Sequence, residues 1–252
     1  MNYLILPIFK TVVKKKEAWI VFGFGCFPLL LLVANLFNSN FMKISAPKGS
    51  LSFLEFFGAV EPVQYQLTLP VIALVYLVCS IFHDEIINGT MYIYKDISRR
   101  KILNAKICSI IIIYFIYFLI TFITSFITYY LSLVHFSYTS GTFLPSKISD
   151  LQNSIITIVG IVVVSLICLF VATISSIKLG NGLTMVIGIC FDIISQTAPY
   201  LKHLKYIFPN CYNGFLTRSN FSGVFLSMLG IFIVYFTFTY FVAVYTFKNL
   251  EY

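Results

Sequence analysis

The acidic residue placed deepest in an apolar stretch is Asp192, within the run from Leu179 to Tyr200. At the centre of a bilayer a carboxylate costs about 2.5–3.5 kcal/mol on insertion scales, so such a residue usually faces a cavity or a partner. Four small or polar residues share its helical face, within about 80° at 100° per residue. They are Asn181, Thr184, Gly188 and Ser195. We expect this polar stripe to line a translocation path or to contact a second copy of the chain.

Two other roles remain open for Asp192. The first is structural: a hydrogen bond to a neighbouring helix inside the membrane. The second is a proton relay, which would make the protein a secondary transporter. The pattern disfavours a relay, because no second carboxylate or basic residue is predicted inside a span.

The motifs of several common catalytic and metal sites are absent from the sequence. It contains no GxxxxGK[ST] phosphate loop, no HExxH and no GxSxG. The three histidines fall near predicted span ends, and the six cysteines form no CxxC pair. We therefore predict no catalytic residue, no metal site and no cofactor in this chain, so that energy for transport would come from a partner or an ion gradient.

A run of mixed charge occupies residues 83–106 and holds five of the seventeen Lys and Arg residues. Its apolar side chains between Asp84 and Ile97 recur at helical spacing, which predicts a short helix at the membrane surface over residues 84–97. Ser98 is a good N-cap for a second helix that continues into the next span. Because Lys and Arg beside spans resist translocation, this loop is expected in the cytoplasm.

The same run resembles the coupling-helix region of ABC exporter permeases of the type-2 branch, which are six-span subunits paired with a separate ATPase. The residues that carry the resemblance are Asp84, Glu85, Asn88, Gly89, Thr90, Tyr94, Arg99 and Arg100, followed by Ala105 and Lys106. The resemblance implies that the short helix docks on the ATPase, which binds ATP and Mg²⁺. It also implies that Glu85 anchors this helix, by pairing with Arg99, Arg100 or Lys106.

Composition places the whole chain in a membrane. Of its 252 residues 59% are hydrophobic and 10% are charged, against about 25% charged in soluble domains. Apolar runs longer than about 18 residues predict transmembrane helices, and thus an all-α polytopic membrane protein. The six spans are predicted at residues 18–37, 63–82, 107–133, 154–177, 179–200 and 221–247.

Two further elements complete the predicted single transmembrane domain of residues 1–252. Residues 1–17 pair an apolar stripe with a basic side, which is typical of an interfacial helix. Residues 201–220 are expected to form short external re-entrant helices, an arrangement that the resemblance also implies. With both termini in the cytoplasm, eleven Lys and Arg lie inside and six outside, which favours that topology.

The resemblance implies a permease subunit of an ATP-driven exporter in a bacterial cell membrane, working as a homodimer or with a similar permease. Small permeases of this kind export peptides, as in lantibiotic and bacitracin self-protection and in phenol-soluble modulin export. We therefore expect an amphipathic or hydrophobic peptide cargo, contact with membrane lipid and no nucleic acid. A gradient-driven secondary transporter and a non-transporting scaffold or immunity protein remain the alternatives.

Overall fold

The computed structural model describes residues 2–37, 47–90, 97–216 and 220–249. These ranges are helical and contain no β-strand, apart from an isolated bridge between Leu51 and Thr139. The helices are α1 Asn2–Val13, α2 Lys16–Gly25, α3 Leu29–Leu36, α4 Phe53–Gln66, α5 Leu69–Ile87, α6 Arg99–Leu131, α7 Ile148–Lys178, α8 Asn181–Thr197 and α9 Phe221–Lys248. Short 3₁₀ segments lie at Leu133–His135, Ala198–Tyr200, Leu204–Tyr206 and Pro209–Phe215.

Long apolar helices dominate the described ranges. Five of them are long and apolar enough to cross a membrane, namely α5, α6, α7, α8 and α9 with their short 3₁₀ extensions. The bent pair of α2 and α3 would be a sixth span if it is counted as one. The protein is thus an all-helical, membrane-embedded chain.

The predicted first span, residues 18–37, is broken in its middle. α2 and α3 meet at 52°, because Pro28 has no backbone N–H to continue the helical hydrogen bonds. A break among apolar helices leaves carbonyl groups that need donors. The Thr124 hydroxyl donates to Gly25 O at 2.8 Å and the Thr128 hydroxyl donates to Pro28 O at 3.1 Å, so α6 is hydrogen-bonded to both sides of the break.

The predicted second span, residues 63–82, is shared by two helices. α4 and α5 are separated at Thr68, whose φ is +61°. Pro70 lies in the first turn of α5, where a missing N–H breaks no helical bond.

α7 occupies the centre of the helical bundle. It packs against α4, α5, α8, α9 and the 3₁₀ segment Pro209–Phe215. The continuous apolar sequence of residues 154–177 suits this buried position, because a helix that is apolar all round is typical of a protein interior. Gly160 allows the close approach of the 3₁₀ segment, since a Cβ there would lie 3.1 Å from Pro209 O.

The two flanking elements also differ from expectation. α1 packs on α6 with Leu4, Ile8 and Val12 buried, so the apolar stripe predicted for a lipid interface contacts protein. The segment predicted to form re-entrant helices forms the 3₁₀ segments Leu204–Tyr206 and Pro209–Phe215 instead, and residues 217–219 lie outside the described ranges.

The short surface helix predicted over residues 84–97 does not begin at Asp84. α5 continues through Ile87, so Asp84 belongs to its last turn, and residues 91–96 lie outside the described ranges. α6 begins directly after Ser98, eight residues before the predicted third span. Ser98 therefore stands at the predicted N-cap position, although its side chain makes no capping hydrogen bond.

Candidate functional site

A cluster of two lysines around one carboxylate lies at the end of α5, and we call it the Glu85 cluster. Glu85 Oε1 lies 3.2 Å from Lys15 Nζ, and Glu85 Oε2 lies 3.0 Å from Lys106 Nζ. Lys15 joins α1 to α2, Glu85 ends α5, and Lys106 lies two turns into α6. One carboxylate therefore ties three separate parts of the chain together.

Lys106 is the most deeply buried member of the Glu85 cluster, with 1% of its surface exposed. Its ammonium also donates to Ile81 O at 2.8 Å and lies 5.2 Å from the centre of the Phe82 ring. A buried ammonium requires a counter-charge and hydrogen-bond acceptors to offset its lost hydration. Glu85 supplies that charge while about one fifth of its own side chain stays exposed.

The described contacts of the two arginines lie on α9 and not on Glu85. Arg99 Nη1 donates to Lys248 O at 2.6 Å, and Arg100 Nε donates to the Tyr240 hydroxyl at 3.4 Å. Of the three cations predicted to pair with Glu85, Lys106 is the one in contact. Lys15 was not predicted, because nothing in the local sequence places it beside the end of α5.

The residues Asn88, Gly89 and Thr90 terminate α5. The N–H of Asn88 donates to Asp84 O at 2.9 Å, and Gly89 has the left-handed φ of +67° that favours glycine after a helix. The Thr90 hydroxyl donates to Glu85 O at 2.9 Å. Helix termination alone accounts for these three residue types, and the predicted coupling residue Tyr94 lies outside the described residues.

Asp84 links this end of α5 to α8. Its Oδ1 accepts a hydrogen bond from Asn181 Nδ2 at 2.7 Å. Asn181 was predicted to belong to the stripe around Asp192, but it lies at the start of α8 and near the Glu85 cluster. The contact places α8 among the helices that are held by the end of α5.

Neither a protein-family model, nor a curated protein, nor a solved structure matches the chain. Its function is therefore inferred from the geometry of its own residues.

The predicted polar stripe on α8 faces the interior of the bundle. Thr184, Gly188, Asp192 and Ser195 are all buried. Gly188 packs directly on α5, since a Cβ there would lie 2.7 Å from Val75 Cγ2. Within the isolated chain, the stripe thus contacts other helices of the same chain.

Asp192 takes part in a hydrogen-bond network at the break between α4 and α5. Its Oδ2 accepts from Gln196 Nε2 at 2.9 Å, and this amide also donates to Tyr65 O at 3.0 Å. The Tyr65 hydroxyl contacts Ser195 Oγ. Gln196 therefore links α8 to a carbonyl at the end of α4, and Asp192 helps to hold that amide in place. These contacts fit the structural role left open for Asp192.

A second buried carboxylate, Glu61, was missed by the sequence analysis. It lies on α4 with 3% of its surface exposed, although its position falls between the first two predicted spans. It borders a cavity of about 20 Å³ that is also lined by Gln64, Tyr65, Tyr114 and Ser165, among others. Glu61 Oε1 has no hydrogen-bond partner among the described residues.

Two sequence signals could have located Glu61. Ser52 and Glu55 form a capping box that marks the start of a helix. Counting from that start, Phe57, Glu61 and Gln64 recur at spacings of four and three, which places them on one helical face. The charge of Glu61 is a competing signal, because an acidic residue between apolar runs is typical of a loop.

Gln64 connects the Glu61 cavity to the break between α2 and α3. Its Nε2 donates to Phe24 O at 2.9 Å, a carbonyl that also accepts from the Phe27 N–H at the end of α2. Its Oε1 accepts from the Tyr117 hydroxyl at 3.2 Å. One buried polar region thus joins both helix breaks, and Glu61 and Asp192 lie along it.

Proposed function

We propose that the chain is the transmembrane subunit of an ATP-driven ABC exporter of the type-2 branch. It has six spans with both termini in the cytoplasm of a bacterial cell, and it pairs with a second permease copy. A separate ATPase subunit binds and hydrolyses Mg²⁺-ATP. The cargo is an amphipathic or hydrophobic peptide, such as a toxin or an antimicrobial peptide.

The observation that carries this proposal is the Glu85 cluster. The segment 88–98 begins three residues after Glu85, and Glu85 holds Lys15 before α2 and Lys106 in α6. Asp84 adds the contact to α8. A force applied to that segment would therefore reach four helices through short polar contacts, which is the mechanical connection that a coupling element needs.

The mechanism follows from these connections. Closure of the ATPase pair pushes the segment 88–98, and the end of α5 moves with it. Because Glu85 and Asp84 bind other helices at that end, α2, α6 and α8 shift together with α5. The shift opens the membrane interior outward and releases the cargo.

Photo-crosslinking tests the proposed docking. A photoreactive amino acid at Asn88 or Thr90, which are both exposed, should capture an ATPase subunit in native membranes. The same probe at exposed Ser149, at the start of α7 and on the outer side in the proposed topology, is the matched control and should capture none. The complex purified into lipid should hydrolyse ATP, and Arg99→Ala should abolish this activity.

Two results would contradict the proposal. One is a chain that purifies without an ATPase and gives the same crosslinks from Asn88 as from Ser149. The other is ATP hydrolysis that is unchanged by Arg99→Ala and by Asn88→Ala, with both variants monodisperse in detergent. Glu85→Ala is less suitable, because it also disturbs the buried Lys106.

A gradient-driven transporter is the second candidate, and Glu61 is the observation that favours it. A proton relay through Asp192 was disfavoured for want of a second buried carboxylate, and Glu61 supplies one. Proteoliposomes that contain the chain alone would then dissipate an imposed proton gradient. Neither activity would be seen for a non-transporting scaffold or immunity protein.

A further inference from the structure

The surroundings of Glu61 contain no positive charge to compensate a carboxylate. The residues that line its cavity come from α4, α5, α6 and α7, and none of them is Lys, Arg or His. The ion pairs among the described residues involve Glu85 and not Glu61. An ionised carboxylate with no partner in an apolar interior costs so much free energy that the group is neutralised instead. Proton binding is the simplest means of neutralising it.

The size of the cavity limits what else could neutralise Glu61. A volume of about 20 Å³ exceeds the ~10–15 Å³ that one water molecule needs, and it is far below the size of a peptide side chain or a small organic ligand. Gln64, Tyr114 and Ser165 provide polar groups on the cavity wall. The cavity therefore suits one water molecule beside the carboxyl group.

The titratable groups around Glu61 offer hydroxyls and a second acid. Tyr114 and Tyr117 on α6 and Tyr65 on α4 line the same cavity, while the lining residues of α5 and α7 are not titratable. The Tyr65 hydroxyl contacts Ser195 Oγ on α8 and lies close to the Asp192 carboxylate. Tyr65 is thus the side chain that stands between the two buried acids.

We propose that Glu61 is an exchangeable proton-binding site inside the membrane domain. The proton resides on the Glu61 carboxyl group. This proton transfers to the cavity water. The water then passes a proton to the Tyr65 hydroxyl, while that hydroxyl gives its own proton to Asp192. Asp192 carries the negative charge at rest, because the Gln196 amide donates to it. The ionised Glu61 is a short-lived state that ends when the proton returns by the same route, so one proton moves and no net charge is created. This site does not rest on the proposed ATPase-driven export.

Infrared spectroscopy of the purified full chain in lipid tests the site directly. A protonated carboxyl group shows a C=O band that a carboxylate lacks, and Glu61→Gln should remove this band at neutral pH. The matched control is Glu17→Gln. Glu17 lies two positions after Lys15, at one end of the membrane domain, so removing its carboxylate should leave the band unchanged. The wild-type band should shift when the sample is moved into heavy water, because the proton exchanges.

The Tyr65→Phe variant distinguishes a proton relay from a carboxyl group that keeps its proton permanently. This variant keeps Glu61 and loses only the hydroxyl, so the band should remain while its deuterium shift becomes slower than in wild type. Asp192→Asn should likewise keep the band. If Glu61→Gln fails to fold, the exchange rates of these two variants still decide the question.

Three outcomes would overturn the proposal. A band that survives in Glu61→Gln would place the proton elsewhere. A band that neither exchanges in heavy water nor disappears in alkaline buffer would identify a fixed structural acid. A band that is missing in sodium buffer and appears in sodium-free buffer would identify a metal-cation site. ATPase activity is not measured, so none of these outcomes bears on the exporter proposal.

Discussion

Removing the carboxylate of the Glu85 cluster should destabilise the fold far more than its position at a helix end suggests. Glu85→Gln removes the carboxylate charge that lies 3.0 Å from the Lys106 ammonium, whose residue is 1% exposed. Breaking a buried ion pair from one side costs about 3–5 kcal/mol. About a fifth of Glu85 is exposed, so water compensates part of this loss. We therefore expect about 3 kcal/mol.

The measurement is thermal unfolding in detergent, followed by gel filtration of heated samples. For a chain of this length, about 3 kcal/mol corresponds to a fall of roughly 6–12 °C in Tm. Glu17→Gln is the matched control, because Glu17 makes no ion pair among the described residues and should cost less than ~1 kcal/mol.

A double-mutant cycle distinguishes the buried charge from general disruption. Combining Glu85→Gln with Lys106→Met removes the uncompensated ammonium, so the double variant should be more stable than Glu85→Gln alone. The reasoning is refuted if the two effects simply add. It is also refuted if Glu85→Gln unfolds at the same temperature as Glu17→Gln.

Three further predictions concern packing, backbone strain and thiol reactivity. Gly188→Ala should lower Tm, because its Cβ would lie 2.7 Å from Val75 Cγ2. Adding Val75→Ala to this variant should restore Tm. Gly182→Ala, with open space around the added Cβ, should be near neutral in the same assay. Thr68→Gly should raise Tm, because the left-handed backbone costs a β-branched residue about 1–2 kcal/mol, and a lower Tm would count against strain at the break. Burial raises the pKa of the Cys211 thiol to about 11. In a variant that retains Cys211 as its one cysteine, maleimide labelling should therefore be slow at neutral pH and become faster as the pH approaches that pKa. A labelling rate that is already maximal near neutral pH would contradict this prediction.

Apolar run length was enough to predict an all-helical membrane protein, because a long continuous apolar run has few other stable environments. It was not enough to locate the breaks. Pro28 was counted within a continuous span, although its missing N–H ends the helix ladder of α2. Thr68 carries no breaker signal at all, and its left-handed conformation is held by the surrounding helices.

The residues of the candidate sites were likewise only partly predictable from the sequence. Asp192 could be singled out from the sequence, because a carboxylate in an apolar run is costly wherever it lies. Its partners could not, since Tyr65 and Gln196 meet only when α4 and α8 pack together. Lys15 reaches Glu85 across 70 positions of the chain, a distance over which sequence periodicity carries no information.

The Thr124 hydroxyl has three carbonyl oxygens within reach: Gly25 O at 2.8 Å, Ile120 O at 2.9 Å and Thr121 O at 3.1 Å. If α2 swings away, this hydroxyl can turn back to its own helix and keep a hydrogen bond throughout. The bend at Pro28 can then open or close with nearly the same number of satisfied donors. A change of shape in the α2–α3 pair would then cost one acceptor, Gly25 O, and leave the threonine donor satisfied.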